Sequence, residues 1–139
     1  MSLSSVRPFF RTRLDGLGFI EWDDGFQFDN VPETILNKAY HLQIGTIGGG
    51  PANQTTHVFE YPITLRVHFK GFRDVNSAID DVVSESETIL EDILAPSVRL
   101  GTAIKDVVCD SVNILPLDAS NDNNIVLQME FTSTINCNF

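Results

Sequence analysis

From His57 to Phe69 the sequence alternates with hardly a fault. His57, Phe59, Tyr61, Ile63, Leu65, Val67 and Phe69 fall on one side, and Val58, Glu60, Pro62, Thr64, Arg66 and His68 on the other. A side-chain period of two sustained this far dictates a long strand with one buried face. Pro62 donates no backbone hydrogen bond. It predicts an edge, a bulge, or a strand whose outer half projects beyond its neighbour. A second alternating run closes the chain, with Ile125, Leu127, Met129, Phe131, Ile135, Cys137 and Phe139 on one side. Ile104–Leu115 reads as its partner, interrupted by the polar Asp110 and Ser111 and joined to it as a hairpin by the polar loop "PLDASNDNN".

Helical spacing appears in two places. Val6, Phe9, Phe10, Leu14 and Leu17 predict a helix over Ser5–Leu17, capped by Ser4 or Ser5, with Pro8 tolerable in its first turn. Val75, Ile79, Val82, Val83, Ile89, Leu90, Ile93 and Leu94 make one wide stripe of a longer helix, with Asp74 or Asn76 as N-cap and Pro96 past its end. Ser86 falls inside that stripe, where a small side chain lets helix and sheet approach closely. Between these runs, Phe19–Trp22, Gly25–Phe28 and Tyr40–Ile44 read as short strands. "GTIGGGPANQTTH" reads as a flexible connection, because consecutive glycines do not fix one conformation. The expected architecture is a single α+β domain over residues 1–139, a mostly antiparallel sheet with helices packed on one face. The other face is left for water or a partner.

Charge narrows the function. The net charge is −10, from nine basic and nineteen acidic residues. Tight nucleic-acid binding needs the opposite balance, because Lys and Arg neutralise phosphates. Arg7, Arg11 and Arg13 concentrate three of the bases in the first helix, and removing their +3 from −10 leaves −13 elsewhere. A basic end on an acidic body predicts head-to-tail contact between copies through these arginines, set against an exposed basic turn. Asp80, Asp81, Glu85, Glu87, Glu91 and Asp92 line the polar side of the second helix. They read as a solvated face or as one turned toward a channel or a neighbour.

Chemistry finds no foothold. His41, His57 and His68 lie in no metal-ligand spacing, and His68, between Arg66 and Lys70, reads as a surface histidine. "GTIGGGPAN" lacks the lysine and following helix of a phosphate loop. Asp118, Ser120 and Asp122 imitate half a calcium loop, but Asn123 and Met129 stand where the turn glycine and bidentate glutamate belong. The two cysteines, Cys109 and Cys137, read as reduced thiols. No catalytic residue, cofactor site or metal site is expected, and the chain is read as not an enzyme. It has neither a signal-peptide core nor a membrane span. The expectation is a soluble protein made in a cytoplasm.

The long strand ending in "RVHFKGFRD", the acidic helix "NSAIDDVVSESETILEDIL", the closing strand pair, the N-terminal helix and "VPETILNKAYHLQIG" together resemble tail terminator proteins. These are also called tail completion or minor tail U-like proteins of long-tailed bacteriophages. The resemblance is one of element order and length over nearly the whole chain. It implies a structural virion protein forming a hexameric ring. Such a ring caps the tail tube protein, ends its polymerisation and presents a head-joining surface to a connector or neck protein. DNA passes through without specific binding. It implies assembly in the host cytoplasm and residence in the virion tail. On that resemblance Asp80, Glu87 and Glu91 become the channel- or neighbour-facing acids, and Gly48, Gly49, Gly50 and Pro51 the loop meeting the tube. A neck or head–tail connector protein of the same virion is the nearest alternative. A small ligand-binding domain or enzyme with an internal pocket is the alternative of another class.

Overall fold

The computed structural model describes residues 3–22, 38–51, 56–69, 75–95, 104–116 and 125–138. After a single 3-10 turn at Leu3–Ser5 comes α1 (Val6–Gly16), then strands β1 (Ile20–Glu21), β2 (Ala39–Ile44), β3 (Gly48–Pro51) and β4 (Thr56–Phe69). Helix α2 (Val75–Ile93) and strands β5 (Ile104–Pro116) and β6 (Ile125–Asn138) complete the described chain. The fold is α+β. Its sheet runs β1-β2-β4-β6-β5, with β3 also paired to β4. Among the described strands only the β1–β2 pair is parallel.

The sheet is built on β4 and β6, 14 residues each and paired along their whole length from Thr56↔Asn138 to Phe69↔Ile125. At the usual rise per residue each is about 46 Å long. Alternation places Tyr61, Ile63, Leu65, Val67 and Phe69 of β4 beside Leu127, Met129, Phe131 and Ile135 of β6, all buried. Val6, Phe10 and Leu14 of α1 and Val82, Ile89 and Ile93 of α2 join the same core cluster. The Phe10 ring lies 5.3 Å from that of Phe131, which fixes α1 over the middle of β6. Ser86 is buried, as its place in the stripe requires. It returns its hydroxyl to the Val83 carbonyl of its own helix at 2.6 Å, so burial leaves no donor unpaired.

Pro62 stands in the middle of β4 without breaking it. In an antiparallel pair a residue's N–H and C=O point to the same neighbour. The Pro62 carbonyl accepts from Gly45 N at 3.0 Å, so its nitrogen faces away from β6 and no bond to β6 is lost. On that side β2 ends at Ile44↔Ile63 and β3 begins at Gly48↔Glu60. Gly45, Thr46 and Ile47 therefore oppose only Pro62 and Tyr61. β2 and β3 form one interrupted strand beside β4 with a single extra residue, and β1 lies outside β2 at Ala39 and Tyr40. The opposite outer strand, β5, has its own irregularities, between Ile104 and Asp106 and between Cys109 and Ser111. The second is the polar interruption visible in the sequence. It returns Val112 and Ile114 to the same face as Val107 and Cys109.

Four expectations need correction. Gly48–Pro51 is a strand, not a loose connection: its backbone is paired to Val58–Glu60 and His57. His68 is 1% exposed and forms a buried row with Ala39 and Val126 across the outer face, so that face is wet only in part. Val83, expected in the core stripe, is 40% exposed. Ser5 occupies the N-cap position of α1 in a helical conformation and makes no side-chain cap bond, because the preceding 3-10 turn already leads the chain in. Asn76 lies inside α2, while Asp74, Gly25–Phe28 and Asp118–Asn123 fall outside the described residues.

Candidate functional site

The arginines of α1 turn inward. Arg7 and Arg11, one turn apart, both reach Glu21 on β1, Arg11 through Nε to Oε2 at 2.5 Å and Arg7 at 4.0 Å. The Tyr40 hydroxyl donates to Asp15 Oδ1 at 2.8 Å and lies 3.4 Å from Glu21 Oε2. Burial of the Tyr40 ring, then its bond to Asp15, pushes the phenol well above the ordinary tyrosine range. Arg13 points elsewhere and grips Asp92 of α2 with a two-point fork, Nε to Oδ2 at 2.9 Å and Nη2 to Oδ1 at 3.0 Å. That bond raises Arg13 further. All three arginines expected at a subunit contact thus have partners in their own chain. The shared face of Arg7 and Arg11 was legible from their spacing, but Glu21 and Asp92 lie 10 and 79 residues from their partners and no local pattern announces them.

The acids of α2 divide. Asp92 is spent on Arg13, and Glu85 lies 3.9 Å from Lys38. Asp80, Asp81, Glu87 and Glu91 are exposed and make no ion pair among the described residues. Asp80, Ser84, Glu87 and Glu91 follow one another at four-, three- and four-residue steps, a single stripe about 16 Å long at the helical rise. The exposed Val83 lies beside it. Arg7, Arg11 and Arg13 are tied down elsewhere, so none of the three offsets these acids.

The outer face of the sheet carries Arg66, which donates to Gln128 Oε1 at 3.0 Å and is drawn below the ordinary arginine value by burial. His41 shares a ring nitrogen with the Trp22 carbonyl at 3.1 Å. Thr132 donates to Asp110 at 2.5 Å and Ser111 to Glu130 at 3.2 Å, tying β5 to β6 on that face. On the core face the Ser133 hydroxyl is buried without a partner, a position the alternation of apolar residues passed over. Cys109 and Cys137 are free thiols, and burial raises Cys109. Among the described residues no group of three or more His, Cys, Asp or Glu is placed to hold a metal ion, and no helix is long and apolar enough to cross a membrane.

The strands toward the two sides of the sheet carry its exposed large apolar side chains: Ile20 at 43% on β1, Ile44 at 39% on β2, and Val108 at 49% and Val112 at 40% on β5. The chain matches no known protein-family model and no curated protein.

Proposed function

We propose that this chain is a ring-forming structural subunit of the tail-terminator kind, one that caps a phage tail tube and leaves a passage for DNA. The reading rests first on the resemblance of element order. The observation that carries it is the division of charge between the helices. Arg7, Arg11 and Arg13 are neutralised within the chain, while Asp80, Asp81, Glu87 and Glu91 stand outside it. An unneutralised acidic stripe on a rigid helix repels phosphate and so suits a surface that DNA must pass without sticking. The arginines are no longer needed for the ring. Asp80, Glu87 and Glu91 remain the lumen- or neighbour-facing acids of the proposal, and β3 its contact with the tube.

The native mass tests it. A ring of six copies of the 15.5 kDa chain in multi-angle light scattering supports the reading, and a ring that halts growth of purified tail tubes supports it further. A monomer at every concentration counts against it. Replacing Asp80, Glu87 and Glu91 together by lysine should make the ring retain duplex DNA, with retention falling as salt is raised. A reversed ring that ignores DNA would remove the lumen assignment.

A further inference from the structure

Among the described residues, four aliphatic side chains of the sheet are exposed: Ile20 on β1, Ile44 on β2, and Val108 and Val112 on β5. Ile20 and Val108 lie on the outer face with their partners Ala39 and Thr132. Ile44, past the part of β2 that β1 borders, and Val112 on β5 stand toward opposite sides of one sheet. Both belong to the core-facing side, since Ile44 pairs with Ile63 and Val112 with Met129. They also sit nearly level. The row Leu42–Leu65–Met129–Val112 crosses the whole sheet, and Ile44 belongs to the next row. Through three successive antiparallel pairings, β2 and β5 run in opposite directions.

We propose that copies of this chain join edge to edge, β5 of one subunit antiparallel to β2 of the next, with Val112 packed against the neighbour's Ile44. The inference rests on the ring reading for its purpose and on the sheet alone for its geometry. Setting Ile44 opposite Val112 fixes the two adjoining pairs, and the contact stops short of Tyr40, whose carbonyl already accepts from Trp22 N. Leu42 then faces Ile114 on the core side, and Gln43 faces Asn113 on the outer side. Apolar meets apolar and amide meets amide without a mismatch. The segment Ser111–Ile114 lies beyond the irregularity at Cys109 and contains no charge, and the same is true of His41–Ile44. Strand edges of monomers are normally blunted by charge, bulge or a covering strand; among the described residues Leu42–Ile44 and Ser111–Ile114 carry none of these. A contact made by two different patches is heterologous, and repeating it produces a ring when the rotation closes.

The test uses two variants, Ile44→Cys and Val112→Cys, in a Cys109→Ser background where the one remaining native thiol, Cys137, is buried. Under mild oxidation the mixture should form a cross-linked dimer, and neither variant should do so alone. Cross-strand neighbours lie within disulfide reach. A dimer from either variant alone would mean a two-fold contact and would overturn the proposal, as would no cross-link in the mixture at a concentration where the native protein is oligomeric. The chain carrying both cysteines separates the two readings. A closed, limited ladder supports ring and edge together; an unlimited ladder keeps the edge contact and removes the ring. Ile44→Lys and Val112→Lys, at positions open to water in the subunit, should each abolish the oligomer peak while leaving the unfolding midpoint of the monomer unchanged. Oligomers that survive both substitutions would place the contact elsewhere.

Discussion

On one side of the sheet, β5 exposes Lys105, Asp106 and Asp110 and departs twice from regular pairing. On the other, β2 and β3 run from Ala39 to Pro51 without an Asp, Glu, Lys or Arg and depart once, at Gly45–Ile47. Each side spans 13 residues beside the 14-residue pair at the centre. Charges and bulges are the usual means of keeping a free edge from recruiting another chain. β5 keeps them in its first half and drops them after Ser111. The β2–β3 side uses glycine, a break and, over Ala39 and Tyr40, the short strand β1 instead. Protection is thus distributed by segment, and the unprotected segments are those whose side chains match one another.

The widest gap between inward and outward roles on the β2 side lies two residues apart. Leu42 is buried and Ile44 is not. In the isolated subunit Leu42→Ala should cost about 2–5 kcal/mol, the range for a truncated core leucine. Ile44→Ala should cost less than about 1 kcal/mol, because water already reaches that side chain. Urea unfolding of both variants measures the difference. Equal losses would mean that Ile44 is core and that β2 has no spare apolar edge.

Much of this was legible before any coordinates. The period of two fixed β4 and β6, the 3.6-residue stripe fixed α2, and the burial of Ser86 followed from its place in that stripe. What was illegible has physical causes. Glycine carries no alternation, so β3 was indistinguishable from a loose link. His68 is polar in a polar row, and only three-dimensional cover makes it buried. The partners of Arg11 and Arg13 depend on how β1 and α2 dock. Of the proposed site, the acidic stripe was readable in the sequence; the matched edges were not, since β5 changes face at Cys109–Ser111 and its register with β6 must be known first.

Glycine itself offers a finer contrast along β3. A Cβ on Gly49 would stand 2.8 Å from Phe59 Cα and overlap the Val58 carbonyl, backbone atoms that have no easy retreat. On Gly48 or Gly50 it would meet nothing within 4 Å. Gly49→Ala should therefore destabilise by about 1–3 kcal/mol, the usual cost of overpacking. Gly48→Ala and Gly50→Ala should stay within about 0.5 kcal/mol. Amide exchange along Thr56–Glu60 reports whether β3 has detached. A tolerant Gly49 would mean that the β3–β4 approach is looser than the sheet requires.

Where β2 meets α1, the anchor is Tyr40. Removing its hydroxyl should cost about 1–2 kcal/mol at neutral pH, a buried hydrogen bond to a carboxylate. The pH dependence has a definite sign. The folded phenol stays protonated above the pH at which the unfolded one ionises, so its contribution is complete below the ordinary value of 10.0 and declines as pH rises beyond it. Tyr61, the other tyrosine, is raised by burial too. Phenolate absorbance should accordingly develop at higher pH in the native protein than in the unfolded chain, and Tyr40→Phe should flatten the alkaline fall of its melting temperature. An unchanged slope would remove Tyr40 from the anchor.

The smallest expected change in subunit stability is the most direct probe of edge protection. Lys105→Thr combined with Asp110→Thr takes away charge from the guarded half of β5 and leaves the core untouched. Asp110 contributes only an exposed bond to Thr132, so the unfolding free energy should move by no more than about 0.5 kcal/mol. Association should respond far more. With Asp106 the one charge left in the first half of β5, the edge loses most of what limits pairing to Ser111–Ile114, and neighbouring copies can slip in register. Sedimentation should then show a broad, concentration-dependent distribution in place of one defined oligomer. If the variant keeps a single sharp species, the charges do not set the register, and the match between Ile44 and Val112 must set it alone.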